Sequence, residues 1–181
     1  METRFNPQAH LTLITGPVRS GKTRLAIDWA AAFPIPRAYI ATAPAVDDEM
    51  VDRIRRHREE RGDAFQTFEE PLALPSLLKR ISGQFSILIV DCLTLWMSNL
   101  LGHGGVQPVD FPSQIQGFLN LLDVYPDPIL IIGNEVGWGI VPEYPLARRY
   151  RDEIGRLHQE IARRADQVIL MVAGIPLVIK R

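Results

Sequence analysis

The chain has 181 residues, 46% hydrophobic and 23% charged, with a formal net charge of −1. That length suits one domain, residues 1–181, with a sizeable core and an ordinary globular composition. The charge balance argues against a nucleic-acid or acidic-membrane binder, and the single cysteine, Cys92, excludes an internal disulfide or a cysteine-cluster metal site. Residues 1–10 lack an apolar signal core, and no apolar run approaches the roughly 20 residues of a membrane helix, so the cytoplasm is the expected location.

Leu11-Thr12-Leu13-Ile14-Thr15 reads as an apolar, β-branched strand. Gly16-Pro17-Val18-Arg19-Ser20-Gly21-Lys22-Thr23 follows, matching G-x-x-x-x-G-K-[ST], and residues 24–32 are good helix formers. Strand, glycine-rich loop and helix in that order form a phosphate cradle. Gly16 and Gly21 permit backbone angles closed to other residues, so the loop N–H groups can point inward at the positive end of the helix. Lys22 is expected to reach the β- and γ-phosphates, and Thr23 to ligate Mg²⁺.

Phe33-Pro34-Ile35-Pro36 breaks the helix, and residues 37–42 read as a second strand. Asp47-Asp48-Glu49 supplies the acidic first turn of a helix reaching about Arg61, with Met50, Ile54 and His57 on one face. By spacing alone, His57 suits a packed ring capping the last carbonyls better than a catalytic group. The arginines around it suit helix solvation with Glu59 and Glu60 better than an anion site.

Residues 64–68 suggest a short edge strand with Glu69 just beyond it, and residues 72–81 a helix interrupted near Pro75. Residues 85–91 form a nearly unbroken apolar run, as in a parallel strand covered on both faces. Asp91 ends it, and a carboxylate there can hold Mg²⁺ directly or through water. A short apolar helix is expected over 93–101, a Gly/Pro-rich loop over 102–112, a helix containing 118–122, and a buried strand over 128–133. Residues 134–145 form a long irregular segment, of a kind often functional. It offers Glu135 and Glu143 as candidate general bases or ligands of a metal-held water, and Val136, Trp138, Ile140 and Val141 as a wall for an apolar ligand or partner subunit. A charged amphipathic helix over 146–165 and paired strands at 167–173 and 175–179 complete the chain.

Alternating strands and helices predict an α/β fold with a mostly parallel central sheet. The hairpin-like C-terminus suggests the mixed sheet of the RecA-like branch of P-loop folds. Ligands on such sheets bind beyond the carboxyl ends of the strands, which places the P-loop, Thr42, Asp91 and Asn134-Glu135 on one rim.

Four blocks carry a family resemblance. They are Thr15-Gly16 with Arg19-Ser20-Gly21-Lys22; Tyr39-Ile40-Ala41-Thr42 with Asp47-Asp48-Glu49-Met50, Arg53-Ile54 and His57; Asp91-Cys92-Leu93-Thr94-Leu95-Trp96 with Asn99-Leu100; and Asn134-Glu135-Val136-Gly137 with Gly139-Ile140-Val141-Pro142, Arg151-Asp152 and Gly155. Together they resemble the bifunctional adenosylcobinamide kinase / adenosylcobinamide-phosphate guanylyltransferase family of cobalamin biosynthesis.

The resemblance implies two reactions: phosphorylation of the cobinamide side-arm hydroxyl from ATP or GTP, then transfer of GMP from GTP to that phosphate. It makes His57 the guanylylated nucleophile and Lys22 a catalytic partner. The nucleotide-binding set is then the P-loop from Gly16 to Thr23, Glu69 and Asp91, with Thr23 and Asp91 on Mg²⁺. Similar proteins assemble as oligomers, a trimer being typical. Two positions depart from the family pattern: His158-Gln159 stands for the usual Asn-Gln, and Tyr150 for the usual Phe. Both are expected to affect a local contact, at a subunit boundary, rather than the activity. The competing readings are a P-loop kinase of another small metabolite, in which His57 has no covalent role, and a RecA-like ATPase or nucleic-acid module.

Overall fold

The computed structural model describes residues 6, 8–44, 64–102 and 110–181. The region expected to form the helix that carries His57 lies outside these residues. The described residues form seven strands and five helices. In chain order they are β1 (Leu11–Thr15), α1 (Lys22–Ala30), β2 (Ala38–Ala41), β3 (Gln66–Glu69), α2 (Leu74–Ile81), β4 (Leu88–Asp91), α3 (Leu93–Leu100), α4 (Phe111–Leu122), β5 (Ile129–Ile132), α5 (Pro145–Arg164), β6 (Gln167–Val172) and β7 (Ile175–Lys180).

One sheet runs in the order β3-β2-β4-β5-β1-β6-β7. All pairs are parallel except β6–β7. Alternate residues of each strand feed opposite cores. Leu11, Leu13, Leu88, Val90, Ile129 and Ile131 pack on one face, with α2, α3, α4 and α5. Ile14, Ile89, Leu130, Ile132 and Ile169 pack on the other, where Ala26 and Ala30 of α1 approach closely. Burial on both faces explains why the strands read as continuous apolar runs.

Proline marks where three helices begin. Pro75, Pro112 and Pro145 all sit in first turns, where a missing N–H costs nothing. Pro75 therefore starts α2 instead of interrupting a longer helix. Leu74, Leu77, Leu78 and Ile81 give α2 one buried stripe. Likewise the expected 102–112 loop is shorter at its far end, because Asp110 caps α4 by accepting from the Ser113 N–H and hydroxyl.

The C-terminal hairpin turns on Ala173 and Gly174, at φ 50° and 81°. Two consecutive left-handed residues make the tight turn that matches strand twist. The Gly174 N–H donates to the Ser20 carbonyl at 3.1 Å, so the hairpin tip braces the glycine-rich loop.

Candidate active site

The parallel register brings strand ends to a common level. Thr15 pairs with Leu170, Asp91 with both Ala41 and Ile132, and Ala41 with Glu69. β5 lies between the loop-bearing β1 and the Asp91-bearing β4. The residues after β5 consequently emerge between the glycine-rich loop and Asp91.

The loop's glycines answer to specific crowding. A Cβ on Gly16, at φ 147°, would lie 2.5 Å from the Met171 carbonyl oxygen. Gly21, at φ 94°, opens α1 in the left-handed region. Between them Val18 is exposed and Ser20 is buried. Lys22 is buried, and its Nζ donates to the carbonyls of Gly16 (3.0 Å) and Pro17 (2.7 Å) and to Ser20 Oγ (3.4 Å). Burial lowers its pKa, opposed by the carboxylates of Asp91 and Glu135.

At the end of β4, Asp91 Oδ2 accepts hydrogen bonds from Thr23 Oγ1 at 2.8 Å and the Tyr39 hydroxyl at 2.5 Å. Thr42 Oγ1 donates to the Cys92 carbonyl and accepts from the Cys92 N–H, tying the end of β2 to that of β4. Asn99 in turn donates to the Thr42 carbonyl at 2.8 Å. The Cys92 thiol is pushed up to about 11, first by burial and then by Asp91, so it is a neutral packing group at pH 7.

Glu135 stands at the start of the segment after β5. Its N–H donates to the Gly16 carbonyl at 3.0 Å, and its carboxylate accepts from the Thr15 hydroxyl. His158 Nδ1 of α5 lies 3.5 Å from the same carboxylate oxygen. The Glu135 carboxyl is held below its usual range, chiefly by His158, with further help from Thr15 and Lys22, against the opposing effect of burial. Glu143 instead lies exposed farther along, where its carbonyl accepts from Arg148.

The expected residues thus divide. Lys22, Thr23, Asp91 and Glu135 gather at one rim. Glu69 is exposed at the end of edge strand β3, two strands from Asp91, roughly 10 Å at ordinary strand spacing. His57 is outside the described residues. Of the proposed apolar wall, Val136 packs against the core, while Trp138, Ile140 and Val141 are exposed.

Both departures from the family pattern prove to be internal contacts near the site, despite their distance from it in sequence. His158 faces Glu135, and the Tyr150 hydroxyl donates to the Thr94 carbonyl at 3.1 Å. Sequence reasoning missed the Tyr39–Asp91 bond and the His158–Glu135 contact. Their partners sit 52 and 23 residues apart on different elements, so no local spacing marks them.

The family model for cobinamide kinase / cobinamide phosphate guanyltransferase (CobU) matches residues 12–179. The chain belongs to this family. The bifunctional adenosylcobalamin biosynthesis protein CobP of Pseudomonas aeruginosa is 45% identical over 168 residues, covering 93% of this chain and 96% of its own. CobU of Escherichia coli K12 is 35% identical over 181 residues, covering 94% and 99%. A solved ATPase of a bacterial type III secretion system overlays at TM-score 0.54 and 15% identity, covering 90% of this chain and 51% of its own, a likeness of fold. The expected RecA-like P-loop architecture with a mostly parallel sheet therefore holds, and every element described above falls within the cobinamide kinase match or at its margins.

The Thr23–Asp91 bond yields one prediction. Asp91→Asn keeps the shape and both hydrogen-bond partners but removes the negative charge. Steady-state rates at limiting Mg²⁺ should fall for both phosphoryl and guanylyl transfer, with partial rescue as Mg²⁺ is raised. Unchanged rates at limiting Mg²⁺ would leave Asp91 a structural strand end.

Proposed function

We propose that this chain phosphorylates the side-arm hydroxyl of adenosylcobinamide with ATP or GTP, and then transfers GMP from GTP to the resulting phosphate, giving adenosylcobinamide-GDP. The observation that carries this reading is the gathering of Lys22, Thr23 and Asp91 at the sheet rim, in a chain matched to the family over residues 12–179.

In this reading the N–H groups of the Gly16–Thr23 loop hold the triphosphate at the start of α1. Lys22 exchanges its bonds to loop carbonyls for β- and γ-phosphate oxygens. Thr23 and Asp91 suit Mg²⁺, because a hydroxyl and a carboxylate oxygen 2.8 Å apart are hard ligands with places left for phosphate and water. When bound, Mg²⁺ would neutralise charge on the β- and γ-phosphates. Glu69 would meet the nucleotide from the far side of the rim.

His57 acts in the second reaction. Its neutral imidazole nitrogen attacks the α-phosphorus of GTP, an N–P bond forms, and pyrophosphate leaves. A phosphate oxygen of adenosylcobinamide phosphate then attacks the same phosphorus and frees the imidazole. Lys22 and the loop N–H groups would hold the leaving pyrophosphate.

The chain works as a single domain over residues 1–181, in the cytoplasm and as a homo-oligomer, with a trimer expected from the resemblance. Exposed Ile175, Leu177 and Ile179 along β7, together with Trp138 and Ile140, support burial against further copies. Among the described residues no helix is long and apolar enough to cross a membrane.

The test uses GTP labelled at the α-phosphate. The protein should carry label after denaturation in alkaline detergent, and lose it in acid, as a histidine phosphoramidate does. A protein that phosphorylates cobinamide but never carries the label would be a kinase without guanylyl transfer.

A further inference from the structure

Glu135 is built into the site in a manner its position in a loop does not require. Its backbone N–H is bonded to Gly16, the first residue of the phosphate loop. Its side chain is held from two elements, by the Thr15 hydroxyl of β1 and by His158 of α5. Both contacts fall on Oε1. Among the described residues no hydrogen bond reaches Oε2, and the side chain is 21% exposed, which leaves that oxygen without a protein partner there.

The His158 ring is fixed almost as closely. It packs against Gly133, where an added Cβ would lie 2.3 Å from Nε2. Nε2 is buried with no hydrogen-bond partner. A proton on Nε2 would have no acceptor, whereas one on Nδ1 faces Glu135. His158 is thus a donor aimed at one oxygen of Glu135. The carboxyl, held below its usual range by that contact, stays ionised at neutral pH.

We propose that Glu135 accepts the proton of the attacking hydroxyl in the kinase step, and that His158 is the positioning residue that holds it there. The inference rests on the functional reading above and names a base for its first reaction. The hydroxyl oxygen forms a bond to the γ-phosphorus as the bond from that phosphorus to the β-phosphate oxygen breaks. The hydroxyl proton passes to Glu135 Oε2 and then to water, and the nucleoside diphosphate leaves. A strong base is not needed, because in a loose transition state the acceptor mainly orients the hydroxyl and takes a proton lost late. Placement between the phosphate loop and Asp91 gives Glu135 that access.

The experiment compares wild type, Glu135→Gln, His158→Leu and His158→Asn in two assays, kinase turnover with cobinamide and guanylyl transfer to cobinamide phosphate supplied ready made. Nucleotide binding and thermal stability are followed in parallel. Glu135→Gln should lower the kinase kcat on the order of 10²–10⁴-fold, the range for a lost proton acceptor, with KM for nucleotide and guanylyl transfer little changed. His158→Leu should lower kinase kcat without raising the nucleotide KM. His158→Asn should recover much of that loss, because its amide N–H can still donate to Glu135.

Near-normal kinase turnover in Glu135→Gln would overturn the base assignment. So would joint loss of nucleotide binding and both activities, which would make Glu135 a structural brace of the loop. Equal behaviour of His158→Leu and His158→Asn would overturn the positioning role. A wild-type protein that binds nucleotide but phosphorylates no cobinamide would instead sink the functional reading, and this inference with it.

Discussion

Lys22→Ala should abolish both reactions together. Its ammonium is the buried cation of the loop and already bonds three loop acceptors. In either reaction the same charge would lie on the triphosphate, where it opposes negative charge on the leaving group. Losing one such preorganised donor costs on the order of 10²–10³-fold in rate. The same change should leave folding nearly intact. Burial disfavours the ammonium, so its removal relieves a desolvation cost that offsets the loss of its bonds to the loop carbonyls. A thermal melt close to wild type, alongside loss of labelled adduct and of cobinamide phosphorylation, is the expected result. Guanylyl transfer at a wild-type rate in a kinase-dead Lys22→Ala protein would show that one triphosphate site does not serve both steps.

His57→Asn should separate the two reactions that Lys22→Ala removes together. Asparagine offers no nucleophilic nitrogen, while Lys22, Thr23, Asp91 and Glu135 stay in place. The labelled GMP–protein adduct and the guanylylated product should both disappear, and kinase turnover should survive in part. The decisive readout is the ratio of the two activities measured on one preparation. If both fall in parallel and the melting temperature falls with them, His57 is a packed helix-end residue. An adduct that persists in the variant would exclude His57 as the nucleophile.

The two experiments, with the Glu135 variants, divide the proposed machinery by role. In the proposed scheme Lys22 and Asp91 would serve whatever triphosphate is bound, His57 only the guanylyl step, and Glu135 only the phosphoryl step. A common phosphate cradle with a different group for each acceptor would explain how one small domain supports two chemistries at phosphorus. The cradle would stabilise charge on a leaving phosphate in both cases, whereas the proposed nucleophiles differ, an alcohol oxygen in one and an imidazole nitrogen in the other.

Local sequence determined the cradle itself. The strand over 11–15, the glycine and lysine spacing and the helix after it are contiguous, and they match β1, the loop and α1 to within two residues. The strand ending in Asp91, the β5 strand, the long α5 helix and the final antiparallel pair were equally legible, because burial on both faces of a strand or along one stripe of a helix leaves a direct periodic trace. Pro75 misled because its cost depends on whether it falls in the first turn or later, and helix ends are where sequence signals are weakest.

Only the tertiary structure decided the rest. Strand order has no local code, and it is the placement of β5 between β1 and β4 that carries Glu135 to the loop. The His158–Glu135 contact, the Tyr39–Asp91 bond and the hairpin tip on Ser20 join elements far apart in the chain. Such contacts follow from how layers pack, and a buried histidine on a helix face reads in sequence like any other core position until its neighbour on another element is known.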